Sequence, residues 1–215
     1  MPSPLEFSIL NRSRTTNARR GVISTPHGDI QTPVFMPVGT RASIKGILPD
    51  LVAQTGADIL LNNTYHLMLR PGSPLIESMG GVHKFMNWPK PILTDSGGYQ
   101  AYSLAATNKV DDHAVTFKSI VDGSLIELTP ERAMQIQNQL GPDIMMALDD
   151  CPPSINPSAI ERDEAQSQRL ANVALRDAHE TTPARTKAST YDHVKRLEIA
   201  NTRTLRWLER CKAAH

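Results

Sequence analysis

The sequence predicts an α/β protein built on parallel strands, and three observations carry that prediction. Short apolar runs alternate with polar or helical stretches up to about residue 150. Each of four such runs ends in polar groups suited to ligand chemistry: Gly39-Thr40, Asn62-Asn63, Asp95-Ser96 and Asp149-Asp150. In parallel α/β folds, open or closed, ligands bind at the carboxyl ends of the strands. Acids and amides also cap helices, so any one of the four is weak; four in step point to a site.

Taken in order, Thr32 to Gly39 reads as a first short buried strand, its prolines near the ends. Residues 49–56 form a brief helix, with Pro49 in the first turn and Gly56 just past the end. Asp58 to Asn63 is the second strand and Pro91 to Asp95 the third. A β-hairpin then spans residues 114–128, with Val115 and Phe117 in alternation and Asp122-Gly123 suited to the left-handed dihedrals of a tight turn. Thr129-Pro130-Glu131 starts a helix as cap, first-turn proline and first-turn acid. Ala133, Ile136 and Leu140 share one face of it, and Gly141 stops it. Ile144 to Asp150 is the fourth strand. Beyond Cys151, Leu170, Val173, Ala174 and Ala178 suit one helix, and Val194, Leu197, Leu205, Leu208 and Cys211 suit the apolar stripe of a second.

Composition narrows the function classes. No run approaches the roughly 18 apolar residues needed to cross a membrane, and the amino terminus lacks the basic-then-apolar pattern of a secretory signal. Two cysteines, Cys151 and Cys211, make neither a disulfide framework nor a four-ligand zinc site and read as reduced thiols. A net charge of +1 announces no global basic field for nucleic acid. No Gly-rich phosphate loop of a recognised spacing occurs.

The chemistry concentrates in Leu93-Thr94-Asp95-Ser96-Gly97-Gly98-Tyr99-Gln100. A carboxylate at a strand end precedes two glycines, which allow a sharp turn and close approach to a flat ligand. Tyr99 offers an aromatic face on which a base can stack. On these grounds the segment is a pocket for a planar heterocycle with an acid or base beside it.

Asp95-Ser96-Gly97-Gly98-Tyr99-Gln100, with Phe35-Met36-Pro37-Val38-Gly39-Thr40, Asn63-Thr64-Tyr65-His66-Leu67 and Met146-Ala147-Leu148-Asp149-Asp150-Cys151, resembles the tRNA-guanine transglycosylases in their bacterial and eukaryotic queuine-related branches. The four motifs stand in family order across roughly residues 21–153, and Arg206 to Cys211 resembles a later helix. The resemblance implies a (β/α)8 TIM barrel, of which this chain holds about the first four strands, the hairpin insertion and carboxyl-terminal helices. It implies exchange of the wobble guanine of GUN-anticodon tRNAs for a 7-deazaguanine, preQ1 or queuine, by double displacement.

Carried over by position, Asp95 matches the proton-transfer carboxylate and Tyr99 the aromatic that stacks on the base. Asp149 matches the carboxylate that reads the purine's Watson–Crick edge, since an acceptor-only group suits N1–H and an exocyclic amine. Ser96, Gly97 and Gly98 match the turn lining the pocket. Asn63, on the neighbouring strand end, is placed to hold Asp95, and His66 reads as a packing or capping residue.

The family's nucleophilic aspartate lies in the second half of the barrel and has no counterpart here. Zinc is expected in the full-length family member, but its Cys-x-Cys-x-x-Cys ligands and later histidine are absent, so no metal ligand is assigned. Residues 1–215 therefore read as one incomplete domain: a half barrel over 1–153 and a helical part over 154–215 with an insertion around 158–189. Such a chain is expected to be inactive and poorly stable alone. The expected partners are tRNA, the exchanged bases and a homodimer or heterodimer in full-length form, with no membrane. The expected compartment is the cytoplasm, or mitochondrial association in a eukaryote. The competing reading is a non-catalytic subunit or short form that binds a full-length transglycosylase.

Overall fold

The computed structural model describes residues 5–104, 108–153 and 192–215. It opens on an antiparallel sheet that the sequence reading lacked: β1 (Glu6–Arg12), β2 (Arg19–Thr25) and β3 (Gly28–Thr32), in that order. These strands stay outside the parallel sheet.

The predicted strand over residues 32–39 is largely absent. Thr32 ends β3, and beyond it only Val38 pairs, as a single parallel bridge to Leu61, with Gly39 N–H donating to Leu61 O at 2.7 Å and Leu61 N–H donating to Pro37 O at 3.0 Å. Pro33 and Pro37 lack the N–H groups a longer ladder needs. Phe35 is 81% exposed, so the segment is not buried either.

The remaining parallel strands follow the prediction, shortened. Helix α1 (Pro49–Gln54) leads to β4 (Leu60–Asn62). Three short helices follow, α2 (Thr64–Leu69), α3 (Ser73–Ser78) and α4 (Val82–Met86), and then β5 (Ile92–Thr94). After α5 (Gly98–Ser103) come β6 (Asn108–Val110), β7 (Val115–Lys118) and β8 (Leu125–Leu128), a second antiparallel sheet. Helix α6 (Pro130–Leu140) leads to β9 (Ile144–Met145), and α7 (His193–Ala214) closes the described chain. Strands β4, β5 and β9 are adjacent, parallel and in chain order, with Val38 on the outer side of β4. The result is a four-membered arc with helical crossovers; among the described residues it is α/β with no closed barrel.

The predicted hairpin exists, with a wider turn. Ser119 N–H donates to Ser124 O at 2.8 Å, which leaves four residues in the loop. Gly123 takes the left-handed conformation at φ 73°, whereas Asp122 does not, so the turn is not the two-residue form. Helix α6 follows its local chemistry closely. Thr129 accepts from Arg132 N–H, Pro130 starts the helix, Gly141 caps it at φ 67°, and Ala133, Ile136 and Leu140 are buried.

Two polar residues with covered side chains tie the arc to its surroundings. Gln137 on α6 donates to Met146 O at 2.9 Å and accepts from Met146 N–H at 3.0 Å and Thr94 Oγ1 at 2.8 Å. Its amide thus replaces ladder bonds where β9 leaves β5. At the opposite, amino-terminal end, Asp143 accepts from Ile92 N–H at 2.9 Å and from His83 Nε2 and His27 Nδ1 at 3.0 and 2.7 Å. The two imidazoles stack 3.7 Å apart, each addressing its own carboxylate oxygen. This clamp fastens the β2–β3 turn and α4 to the floor of the arc. No helix among the described residues is long and apolar enough to cross a membrane.

Of the stripe expected on helix α7, Cys211 is buried and the other four residues turn outward. Val194, Leu197, Leu205 and Leu208 are exposed, and Ala200, Trp207 and Cys211 face the core. Arg196, Arg203 and Arg210 lie on that inner side at heptad spacing. The face is held by carboxylates and peptide oxygens: Arg210 forks onto Glu131 at 2.7 Å twice, and Trp207 Nε1–H donates to Asp112 O at 2.9 Å. The helix expected around Leu170 to Ala178 and the insertion at 158–189 lie outside the described residues.

Candidate functional site

The carboxyl ends of β4 and β5 sit side by side, so Asn63 and Asp95 meet one residue beyond their strands. The Asn63 amide donates to Asp95 Oδ2. Thr64 N–H and Gly97 N–H donate to Oδ1 at 2.9 and 3.2 Å, and Gln100 Nε2 donates to Oδ2 at 2.9 Å. Thr64 Oγ1 also donates to the Asp95 carbonyl at 2.5 Å. Asp95 is therefore held by four donors from two turns, which fixes its side chain without a countercharge. Sequence reasoning proposed Asn63 for this task and missed Thr64 and Gln100, although both lie inside the quoted motifs.

The glycines do steric work. Gly97 adopts φ 79°, the left-handed region that a side chain disfavours. A Cβ on Gly98 would sit 2.9 Å from the Asp149 carbonyl and 3.1 Å from Leu148 Cδ1. Only a residue without a side chain lets α5 start against the chain that carries Asp149.

Asp149 lies four residues beyond β9, not at the strand end itself. It is joined to the β5 turn by Ser96, whose hydroxyl donates to Asp149 Oδ1 at 3.2 Å and accepts from Gly98 N–H at 3.2 Å. Its other oxygen accepts from the Cys151 thiol at 2.7 Å. Burial, and then the neighbouring Asp149, push that thiol up to about 12. Asp150, next in sequence, turns away: its buried carboxylate takes a fork from Arg196 at 2.9 and 2.6 Å and a further bond from Arg203.

Tyr99 is 63% exposed on the first turn of α5, and its ring is open to solvent beside the Asp95 turn. His66 packs edge-on against Tyr65 at 5.3 Å. Burial, reinforced by Arg41 and opposed by Asp95, lowers its pKa, so the ring is neutral near pH 7. The structure thus brings Asn63, Asp95, Ser96, Gly97, Gly98, Tyr99 and Asp149 together at one end of the parallel arc.

Fold and site define a class: an α/β protein with two carboxylate-bearing turns, a glycine elbow and an open aromatic at the carboxyl ends of parallel strands. Residues 13–191 match the family described as Queuine tRNA-ribosyltransferase. A protein of that name from Halothermothrix orenii is 45% identical over 98% of this chain and 47% of its own length. One from Ruegeria sp. is 62% identical over 63% of this chain and 36% of its own, and one from Cereibacter sphaeroides 57% identical over 77% and 43%. The chain belongs to the queuine tRNA-ribosyltransferase family, and the resemblance read from its motifs is borne out. It spans less than half the length of these relatives.

Proposed function

We propose that this chain carries the base-binding half of a tRNA-guanine transglycosylase, which exchanges the wobble guanine of GUN-anticodon tRNAs for a 7-deazaguanine in queuosine biosynthesis. The observation that carries the reading is the four-donor cradle on Asp95 beside the Ser96–Asp149 link. A stacking aromatic, an acid/base and an acceptor-only purine reader then stand at one strand-end face.

In this reading Tyr99 stacks on the base, and Asp149 accepts hydrogen bonds from N1–H and the exocyclic amine. Asp95 moves a proton to the departing guanine and takes one from the incoming deazapurine. A second carboxylate attacks C1′ of the ribose as the C1′–N9 bond breaks, and the incoming base then displaces it. That nucleophile comes from outside residues 1–215, in the remainder of a (β/α)8 barrel whose first four strands are the arc described here. The activity is cytoplasmic, and the complete form pairs as a dimer.

The cysteine spacing of the zinc site expected in the full-length family member does not occur in this chain; the described residues whose ligand atoms cluster closely enough for a cation are His27, His83 and Asp143. The Cys151 thiol is engaged by Asp149 and the Cys211 thiol points at the Pro130 carbonyl at 3.7 Å. The retained Asp95 and Asp149 favour the enzyme over a non-catalytic partner subunit, which needs neither.

The test is incorporation of labelled guanine into a GUN-anticodon tRNA by this chain, alone and joined to the carboxyl-terminal part of the Halothermothrix orenii relative. Exchange in the joined form that disappears on Asp95→Ala supports the reading. Exchange that survives Asp95→Ala overturns it.

A further inference from the structure

Helix α7 sends three side chains to a single residue. Arg196 forks onto both Asp150 oxygens, Arg203 adds a bond to Oδ2, and Thr204 Oγ1 accepts from Asp150 N–H at 3.1 Å. The Asp150 side chain is fully buried, while Arg203 reaches on to Asp112 at 3.0 Å. Strand pairing of β9 ends at Met145, and Met146 makes the last ladder-like bond, to Thr94 O at 3.2 Å. Strand pairing then holds the backbone no further, and before the Asp150 clamp it is anchored by the buried Leu148. Asp149 lies between those two anchors, one peptide from the second, so the clamp fixes the backbone from which its carboxylate reaches Ser96 and Cys151.

We propose that Arg196 and Arg203 are positioning residues for purine recognition: through Asp150 they aim Asp149 at the edge of the base. The proposal rests on the reading of Asp149 given above. Stability alone is a poor account of the clamp. A buried ion pair roughly breaks even against apolar packing, and its best-attested use is to select one conformation among several. The clamp stands beside a carboxylate whose direction decides which hydrogen bonds a purine can make. It also uses guanidinium groups, whose planar fork fixes a carboxylate in a way an ammonium does not.

The test is equilibrium dialysis of labelled guanine and of hypoxanthine, which lacks the exocyclic amine, against the full chain and its variants. The ratio of the two affinities is read, because the folded fraction cancels from it. The wild type prefers guanine, and Asp149→Ala abolishes the preference. Arg203→Ala and Arg196→Ala each lower the ratio about tenfold, the worth of roughly one misdirected hydrogen bond. Arg196→Lys, which keeps the charge and loses the fork on Asp150, falls between wild type and alanine. In an Asp149→Ala background, Arg203→Ala changes the ratio no further. Arginine variants that keep the wild-type ratio while Asp149→Ala abolishes it overturn the proposal and leave the reading of Asp149 intact. A wild type that does not discriminate, or an Asp149→Ala that still does, overturns that reading and the proposal with it.

Discussion

Ser96 donates its hydroxyl to Asp149 Oδ1 at 3.2 Å, which makes one hydrogen bond the tie between the turn of β5 and the extension of β9. Ser96 Oγ in turn accepts from Gly98 N–H. Ser96→Ala therefore removes both contacts while leaving the glycine elbow in place. We expect a stability loss of about 1–2 kcal/mol in urea unfolding and a guanine affinity weakened about fivefold. An affinity equal to wild type would show that Asp149 is held without Ser96.

The second prediction concerns the floor of the arc. Burial alone pushes the Asp143 carboxyl up, but the bonds from His83, His27 and Ile92 N–H outweigh it, and its pKa falls well below the usual range. A depressed carboxylate contributes stability that is present above its unfolded value, near 3.9, and is lost as pH falls below that. Asp143→Asn, which keeps shape and loses charge, should cost about 2–4 kcal/mol at pH 7. The gap between variant and wild type should close as the pH is lowered below about 4. A pH-independent gap would assign the effect to shape rather than to the charge.

Glu131 on α6 gives a weaker signal of the same sign. The fork from Arg210 pulls its pKa down to about 2, and the pair is partly exposed. Solvent screening limits such a pair to within about 1 kcal/mol. Its contribution holds above the ordinary glutamate value and fades as pH falls from there toward about 2. Glu131→Gln should lower the urea midpoint slightly at pH 7, less so in high salt, and not at all at pH 2. A salt-insensitive loss would point to packing of α7 rather than to the ion pair.

What could be read from the sequence followed local chemistry. Thr129, Pro130 and Gly141 set the bounds of α6 because cap, proline and left-handed glycine act within one turn. The runs ending at Asn63 and Asp95 were legible as strands with a site at their ends. Two features were not. All of the α7 stripe but Cys211 was misread because Arg196 and Arg203 are drawn to Asp150, so ion pairs as well as the apolar Ala200, Trp207 and Cys211 set the inward face. Residues 32–39 looked like a strand from their apolar content, but a strand also needs partners, and beyond Thr32, the end of β3, only Val38 finds one. The Asp95 cradle was half visible. Asn63 was placed by its strand, whereas the Thr64 amide and the reach of Gln100 depend on how two turns meet.

The last prediction tests the interior of the site without any substrate. Cys151 donates to Asp149 at 2.7 Å, and burial followed by that carboxylate raises its thiol to about 12. Burial likewise raises the Cys211 thiol, which is 2% exposed. Reaction with a disulfide reagent requires the thiolate, and at pH 8 a thiol of that pKa is ionised in only about one molecule in ten thousand. A free cysteine, near 8.5, is ionised in roughly a quarter. The folded chain should thus show no fast-reacting thiol, and two equivalents should appear together on unfolding in urea. Asp149→Asn removes the smaller cause and leaves the larger one, burial, so the Cys151 reaction should speed up yet stay far slower than that of a free thiol. One fast equivalent in the native wild type would mean that Cys151 is not donating to Asp149, and the purine reader would then lack the partner on its second oxygen.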